Sequence, residues 1–145
     1  MARQIVILTT APAQTRALGR NFARNIQSGG VAALIGTLGS GKTTFVQGLG
    51  VGLRLRRKIT SPTFIKMARY RLPHTDRWFY HFDLYRLRHR TELMELGLSD
   101  ILRRKDNVIV IEWPEKIKAL LPPRTKWIKF THDRSDPKTR IIKIH

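Results

Sequence analysis

Cysteine is absent from this 145-residue chain, which excludes disulfide frameworks, thiolate metal sites and cysteine nucleophiles together. No apolar run approaches the roughly 20 residues needed to cross a bilayer. The stretch Ile5-Val6-Ile7-Leu8 is too brief for a signal peptide's apolar region plus cleavage site. Acidic residues are scarce: 10 Asp and Glu stand against 28 Lys and Arg, a formal charge of +18. Repeats, linkers and low-complexity segments are missing as well. What is present, 41% hydrophobic residues in 145, suffices for one ordinary core. The expectation is a single domain over residues 1–145, cytoplasmic, with no membrane partner.

The charge attracts polyanions in general: RNA, DNA, an anionic membrane surface or an acidic protein. It is dense at Arg54-Leu55-Arg56-Arg57-Lys58 and at Arg103-Arg104-Lys105 and otherwise spread from Arg3 to Lys143. Charge alone therefore does not choose the polyanion, and a chain-wide basic shift in composition accounts for it equally well.

Along the chain, Leu18, Phe22 and Ile26 with Ala23 make one apolar helical face. Thr9 or Thr10 can cap that helix, with Pro12 in its first turn. Ser28-Gly29-Gly30 ends it. Val31 to Ile35 and Val108 to Ile111 are short, wholly apolar runs, the pattern of strands covered on both faces. A helix is expected from Lys42 to about Leu53, strands over Phe64–Tyr70 and Trp78–Phe82, and a short helix over Glu92–Leu96 ended by Gly97. A helix opened by Pro114 and strands at Lys126–Phe130 and Ile141–Ile144 complete the reading. Strands alternating with helices around two buried runs predict an α/β sandwich.

Gly36-Thr37-Leu38-Gly39-Ser40-Gly41-Lys42-Thr43 matches G-x-x-x-x-G-K-[ST] between a buried strand and a helix. Such a loop wraps closely enough for its backbone N–H groups to donate to phosphate oxygens, and the next helix aims its positive end at the same anion. Lys42 is placed for the β- and γ-phosphates, and the Thr43 hydroxyl for Mg²⁺. Glu112 ends the apolar run Val108-Ile109-Val110-Ile111, where a P-loop fold puts its Mg²⁺-side acid. Asp83, after Trp78–Phe82, fits either a second acid near the terminal phosphate or a turn residue. His81 has no partners at metal spacing and reads as packed or hydrogen-bonded. Ser61-Pro62-Thr63 fits either a switch whose Thr63 senses the metal or γ-phosphate or a plain proline turn.

Taken together these segments resemble the bacterial TsaE (YjeE) family. The resemblance runs in order along nearly the whole chain: the glycine loop through Thr44-Phe45, Ser61-Pro62-Thr63-Phe64, His81-Phe82-Asp83-Leu84-Tyr85-Arg86-Leu87, Glu92-Leu93 and Ile111-Glu112-Trp113-Pro114-Glu115. It implies a P-loop NTPase-like three-layer α/β sandwich with a mixed, largely parallel sheet. It further implies an ATPase that binds ATP and Mg²⁺, is slow alone, and cycles a complex of TsaB and TsaD that makes threonylcarbamoyladenosine (t6A) in tRNA. The tRNA would be met directly or through the complex. By position, residues 36–44 hold the nucleotide, and Lys42, Thr63, Asp83 and Glu112 serve catalysis. Thr43 and Glu112 serve the metal, while Thr10 and Arg134 reach the nucleotide's far end. Thr37 stands where the family usually has an acid, and Trp113 matches the family at a place where packing alone would explain it. Two other readings use the same loop: a small-molecule or nucleoside kinase, and a basic RNA-binding module with a structural nucleotide.

Overall fold

The computed structural model describes residues 3–62 and 66–145. Among them seven strands form one mixed sheet: β1 (Ile5–Thr9), β2 (Gly30–Ile35), β3 (Met67–Arg71), β4 (Trp78–Asp83), β5 (Val108–Glu112), β6 (Lys126–His132) and β7 (Arg140–Ile144), in the spatial order β1-β7-β6-β2-β5-β4-β3. The four central strands β6, β2, β5 and β4 are mutually parallel, and β7, β1 and β3 pair antiparallel at the margins.

The alternation of side chains along each strand makes three layers. Val108 and Val110 of β5 join Ala32 and Leu34 of β2 in a core under α1 (Pro12–Ile26) and α2 (Lys42–Gly52), with Phe22, Phe45 and Leu49. Ile109 and Ile111 face the opposite way, into a second core with Phe82, Leu93, Leu98 and Ile117 under α3 (Thr91–Glu95) and α4 (Leu98–Arg103). The predicted three-layer sandwich is thus the observed one.

Helices α1 and α2 cross closely because small residues meet there. A Cβ added at Gly48 would fall 1.9 Å from the Arg16 carbonyl oxygen, and one at Gly19 would fall 2.0 Å from that of Phe45. Backbone cannot give way as a side-chain tip can. Gly48→Ala is therefore expected to destabilise the fold by about 3 kcal/mol, read as a lower urea midpoint at unchanged m-value.

Several boundaries differ from expectation. Neither Thr9 nor Thr10 caps α1; Ala11 is the N-cap, without a side-chain bond, and Pro12 follows it. The Thr10 N–H and hydroxyl both donate to Gln14 Oε1, at 2.7 and 3.1 Å, and the Thr9 hydroxyl is buried against that of Thr15 at 2.7 Å. The run at Ile5–Leu8, assigned no element from sequence, is edge strand β1. Gly97, at φ +79°, ends α3 and also starts α4. The helix opened by Pro114 is a 3-10 helix, Pro114–Leu120, with Ile117 at φ −130° interrupting it. Strand β3 starts at Met67, and the expected beginning at Phe64 lies outside the described residues.

Candidate functional site

The glycine loop leaves the C-terminal end of β2 and runs into α2. Gly39 and Gly41 sit at φ +76° and +105°, backbone geometry that side chains with a Cβ rarely adopt. That geometry turns the loop so that α2 begins at Lys42 and directs its free N–H groups back into the turn. A cavity of about 340 Å³ opens there, lined on the loop side by Leu38, Gly39, Gly41, Lys42, Thr43 and Thr44. Gly36 takes part through its carbonyl oxygen, which accepts from Lys42 Nζ at 2.5 Å. Ser40 is buried beneath the loop, and Thr37 is on its exposed outer side.

The far wall comes from the sheet. Asp83 and Glu112 are register neighbours on the parallel strands β4 and β5, so their side chains leave the sheet on one face. Phe79, His81 and Asp83 alternate along β4 as Val108, Val110 and Glu112 do along β5, and Phe79, Val108 and Val110 all belong to the core beneath α2. Strand periodicity alone therefore delivers both acids to the helix that carries Lys42. Asp83 Oδ1 accepts the Tyr85 N–H at 3.1 Å, and Asp83 Oδ2 accepts the Ser61 hydroxyl at 3.3 Å. Glu112 is 2% exposed, and its Oε2 lies 2.6 Å from Nε2 of the fully buried His81. With the carboxylate ionised, the imidazole Nε2–H donates to it. Two alternatives left open by the sequence are narrowed here: His81 is hydrogen-bonded, and Asp83 is the last residue of a strand at the cavity wall.

His81 thus holds Glu112. His81→Leu would leave a buried carboxylate oxygen without its donor and is expected to cost about 3 kcal/mol. His81→Gln, which retains an N–H, should keep most of that stability. Thermal denaturation of the pair separates a donor role from mere volume.

Lys42 is 4% exposed. Burial lowers its pKa from the ordinary lysine value, and the carboxylates of Glu112, Asp83 and Glu115 partly oppose that fall. Its Nζ also stands 3.8 Å from the centroid of the Trp113 ring, a cation–π contact. Trp113 adopts φ 58°, ψ 52°, a left-handed conformation unusual for a bulky residue, and its ring packs on Tyr85 with centroids 5.0 Å apart. Packing on Tyr85 is therefore one part of its environment; the other is the ammonium of Lys42.

Thr10 and Arg134 are not among the lining residues. Ala11, Pro12 and Thr15 line the cavity on the α1 side, and Lys138 and Arg140 do so from the β6–β7 hairpin. Arg140 Nη2 reaches the Gly39 carbonyl at 3.3 Å. The two expected positions lie close in sequence to the lining ones but out of register with them. The N-cap of α1 falls at Ala11, one residue after Thr10, and the hairpin pairing carries Arg140 rather than Arg134 to the loop. Thr63 lies outside the described residues. Among those described, no three His, Cys, Asp or Glu side chains gather as a metal site. The oxygen donors present, Thr43, Asp83, Ser61 and Glu112 around the cavity, suit a hard cation held by one or two protein groups and completed by water and a ligand's phosphates.

Comparison with known proteins agrees with this arrangement. The sequence profile of the family described as "Threonylcarbamoyl adenosine biosynthesis protein TsaE" matches residues 9–142. The chain is 38% identical over 112 residues to the tRNA threonylcarbamoyladenosine biosynthesis protein TsaE of Treponema pallidum, covering 77% of this chain and 80% of that one. It is 36% identical over 133 residues to the protein of the same name from Rickettsia prowazekii, covering 91% and 88%. The crystal structure of Bacillus subtilis YdiB superposes with a TM-score of 0.73 at 28% identity, over 99% of this chain and 86% of that one. With the loop, the acid pair and the sheet order on one side and these relatives on the other, the chain belongs to the TsaE family of tRNA threonylcarbamoyladenosine biosynthesis proteins.

Proposed function

We propose that this chain binds ATP with Mg²⁺ and hydrolyses it, slowly alone, and that the turnover drives conformational cycling of a TsaB–TsaD complex during t6A formation on cytoplasmic tRNA. The observation that carries the reading is one cavity in which a strand–glycine loop–helix unit bearing Lys42 lies opposite Asp83 and Glu112. The loop N–H groups and the start of α2 receive the phosphates. Lys42 gives up the Gly36 carbonyl for phosphate oxygens and offsets charge developing on the leaving diphosphate. A bound Mg²⁺ would neutralise the β- and γ-phosphate oxygens; the Thr43 hydroxyl and Glu112 are the groups that would hold it, Glu112 directly or through water. Asp83, hydrogen-bonded by the Tyr85 N–H and the Ser61 hydroxyl, orients water toward the terminal phosphate in this reading. Thr63 serves as the switch residue in this scheme.

The test is ATP turnover of the purified protein with and without TsaB, TsaD and tRNA. Stimulation by the partners supports the motor reading. Phosphate passing to a small-molecule acceptor instead of water would replace it with a kinase.

A further inference from the structure

The parallel strands have two ends, and the glycine loop occupies only one. At the other, the β2 approach (Gln27, Ser28), the α2 exit (Arg54) and the β3–β4 turn (Pro73, Thr75, Arg77) surround a second cavity of about 630 Å³. Arg20, Arg24, Arg54 and Arg77 line it, and no Asp or Glu does. Arg77 donates to the Gln27 carbonyl. Arg20, Arg24 and Arg54 are exposed, and among the described residues none of the three has an ion pair or a side-chain hydrogen bond. Arg20 and Arg24 are one helical turn apart on α1, where like charges repel.

A neighbouring concavity of about 370 Å³ shares Pro73 and adds Arg56, Arg57 and Arg71. Here two of the three guanidinium groups are held in place. Arg57 lies over the Tyr70 ring at 4.9 Å and donates to the Arg69 carbonyl; Arg71 donates to the Thr75 carbonyl. The nearby acids are Asp76, exposed in the β3–β4 turn, and Asp106, which is already paired with Arg104 at 3.1 Å.

Arginine, and no lysine, lines these two hollows, and its planar fork matches phosphate oxygens in a way the lysine point charge does not. Two contiguous hollows suit a phosphodiester strand with successive phosphates; a bilayer would meet a convex or flat surface better. We propose that this arginine-lined face, at the end of the sheet opposite the glycine loop, is a docking surface for the phosphate backbone of RNA. The proposal does not rest on ATP turnover, and its test omits nucleotide.

Fluorescently labelled, unfractionated bacterial tRNA is titrated with the full chain across a salt series. The triple variant Arg20→Gln, Arg24→Gln, Arg54→Gln is expected to bind at least about tenfold more weakly at low salt. Losing three phosphate contacts should also shrink the slope of log K against log salt by about 2. Lys118→Gln, Lys126→Gln, Lys129→Gln, removing equal charge elsewhere, should stay near the parent, as should Lys42→Ala. Arg24→Gln alone, expected to show about a third of the slope change, covers the case in which the triple variant fails to fold. Equal losses in the two triple variants would reduce the effect to diffuse charge and overturn the proposal. So would unchanged tRNA affinity in the arginine variant, or an arginine-dependent interaction found only with phosphatidylglycerol vesicles or polyglutamate.

Discussion

Replacing Lys42 with alanine is expected to weaken ATP binding by roughly 10²-fold, the loss typical of removing one side of a desolvated charge pair. The same replacement bears on stability in the absence of nucleotide. Burial disfavours the Lys42 ammonium, so its pKa in the fold lies below 10.5. In the range between the folded value and 10.5 the unfolded chain binds more protons, and stability therefore rises with pH there. Lys42→Met, which keeps the aliphatic stem, should lack that rise. Denaturation midpoints collected as pH is raised toward 10.5, alongside calorimetric ATP titrations, check both parts. ATP affinity within twofold of the parent would remove Lys42 from the phosphate site, and parallel pH curves would remove its burial from the stability argument.

The second large effect concerns the acids. Glu112→Gln and Asp83→Asn preserve side-chain shape; the first can still accept from His81 and the second from the Tyr85 N–H. Each is expected to leave the fold intact and to lower ATP turnover at least about tenfold, because charge is removed while hydrogen bonding persists. Comparing the two by metal dependence separates their roles. Glu112→Gln should raise the Mg²⁺ concentration needed for half-maximal rate, whereas Asp83→Asn should depress the rate at saturating Mg²⁺. Unchanged turnover in either variant would take that acid out of the mechanism.

The alanine and carboxamide variants also separate the proposals from one another. Lys42→Ala is predicted to lose ATP and keep tRNA; the Arg20, Arg24 and Arg54 variant is predicted to do the reverse. Failure at one end of the sheet leaves the other standing.

The strand–loop–helix turn at residues 36–44 was legible because its pattern is local: glycines, lysine, hydroxyl and helix start are consecutive in the chain. The buried runs at Val31–Ile35 and Val108–Ile111 were legible for a similar reason, since strands covered on both faces need unbroken apolar sequence. Ile5–Leu8 is as unbroken an apolar run, yet it is not covered on both faces. Ile5, Val6 and Leu8 are more than half exposed, at 54%, 55% and 62%, and their strand exists through pairing with β7 at the far end of the sequence.

Local chemistry thus announced the family, the glycine loop and the identities of its acids. The fold alone decided that Asp83 and Glu112 stand side by side, that His81 grips Glu112, that Trp113 covers Lys42 and that Arg140, not Arg134, reaches the loop. Each of these contacts joins residues whose proximity is set by strand register and hairpin pairing. Register depends on how the two faces of the sheet are buried, and burial is a property of the whole chain at once.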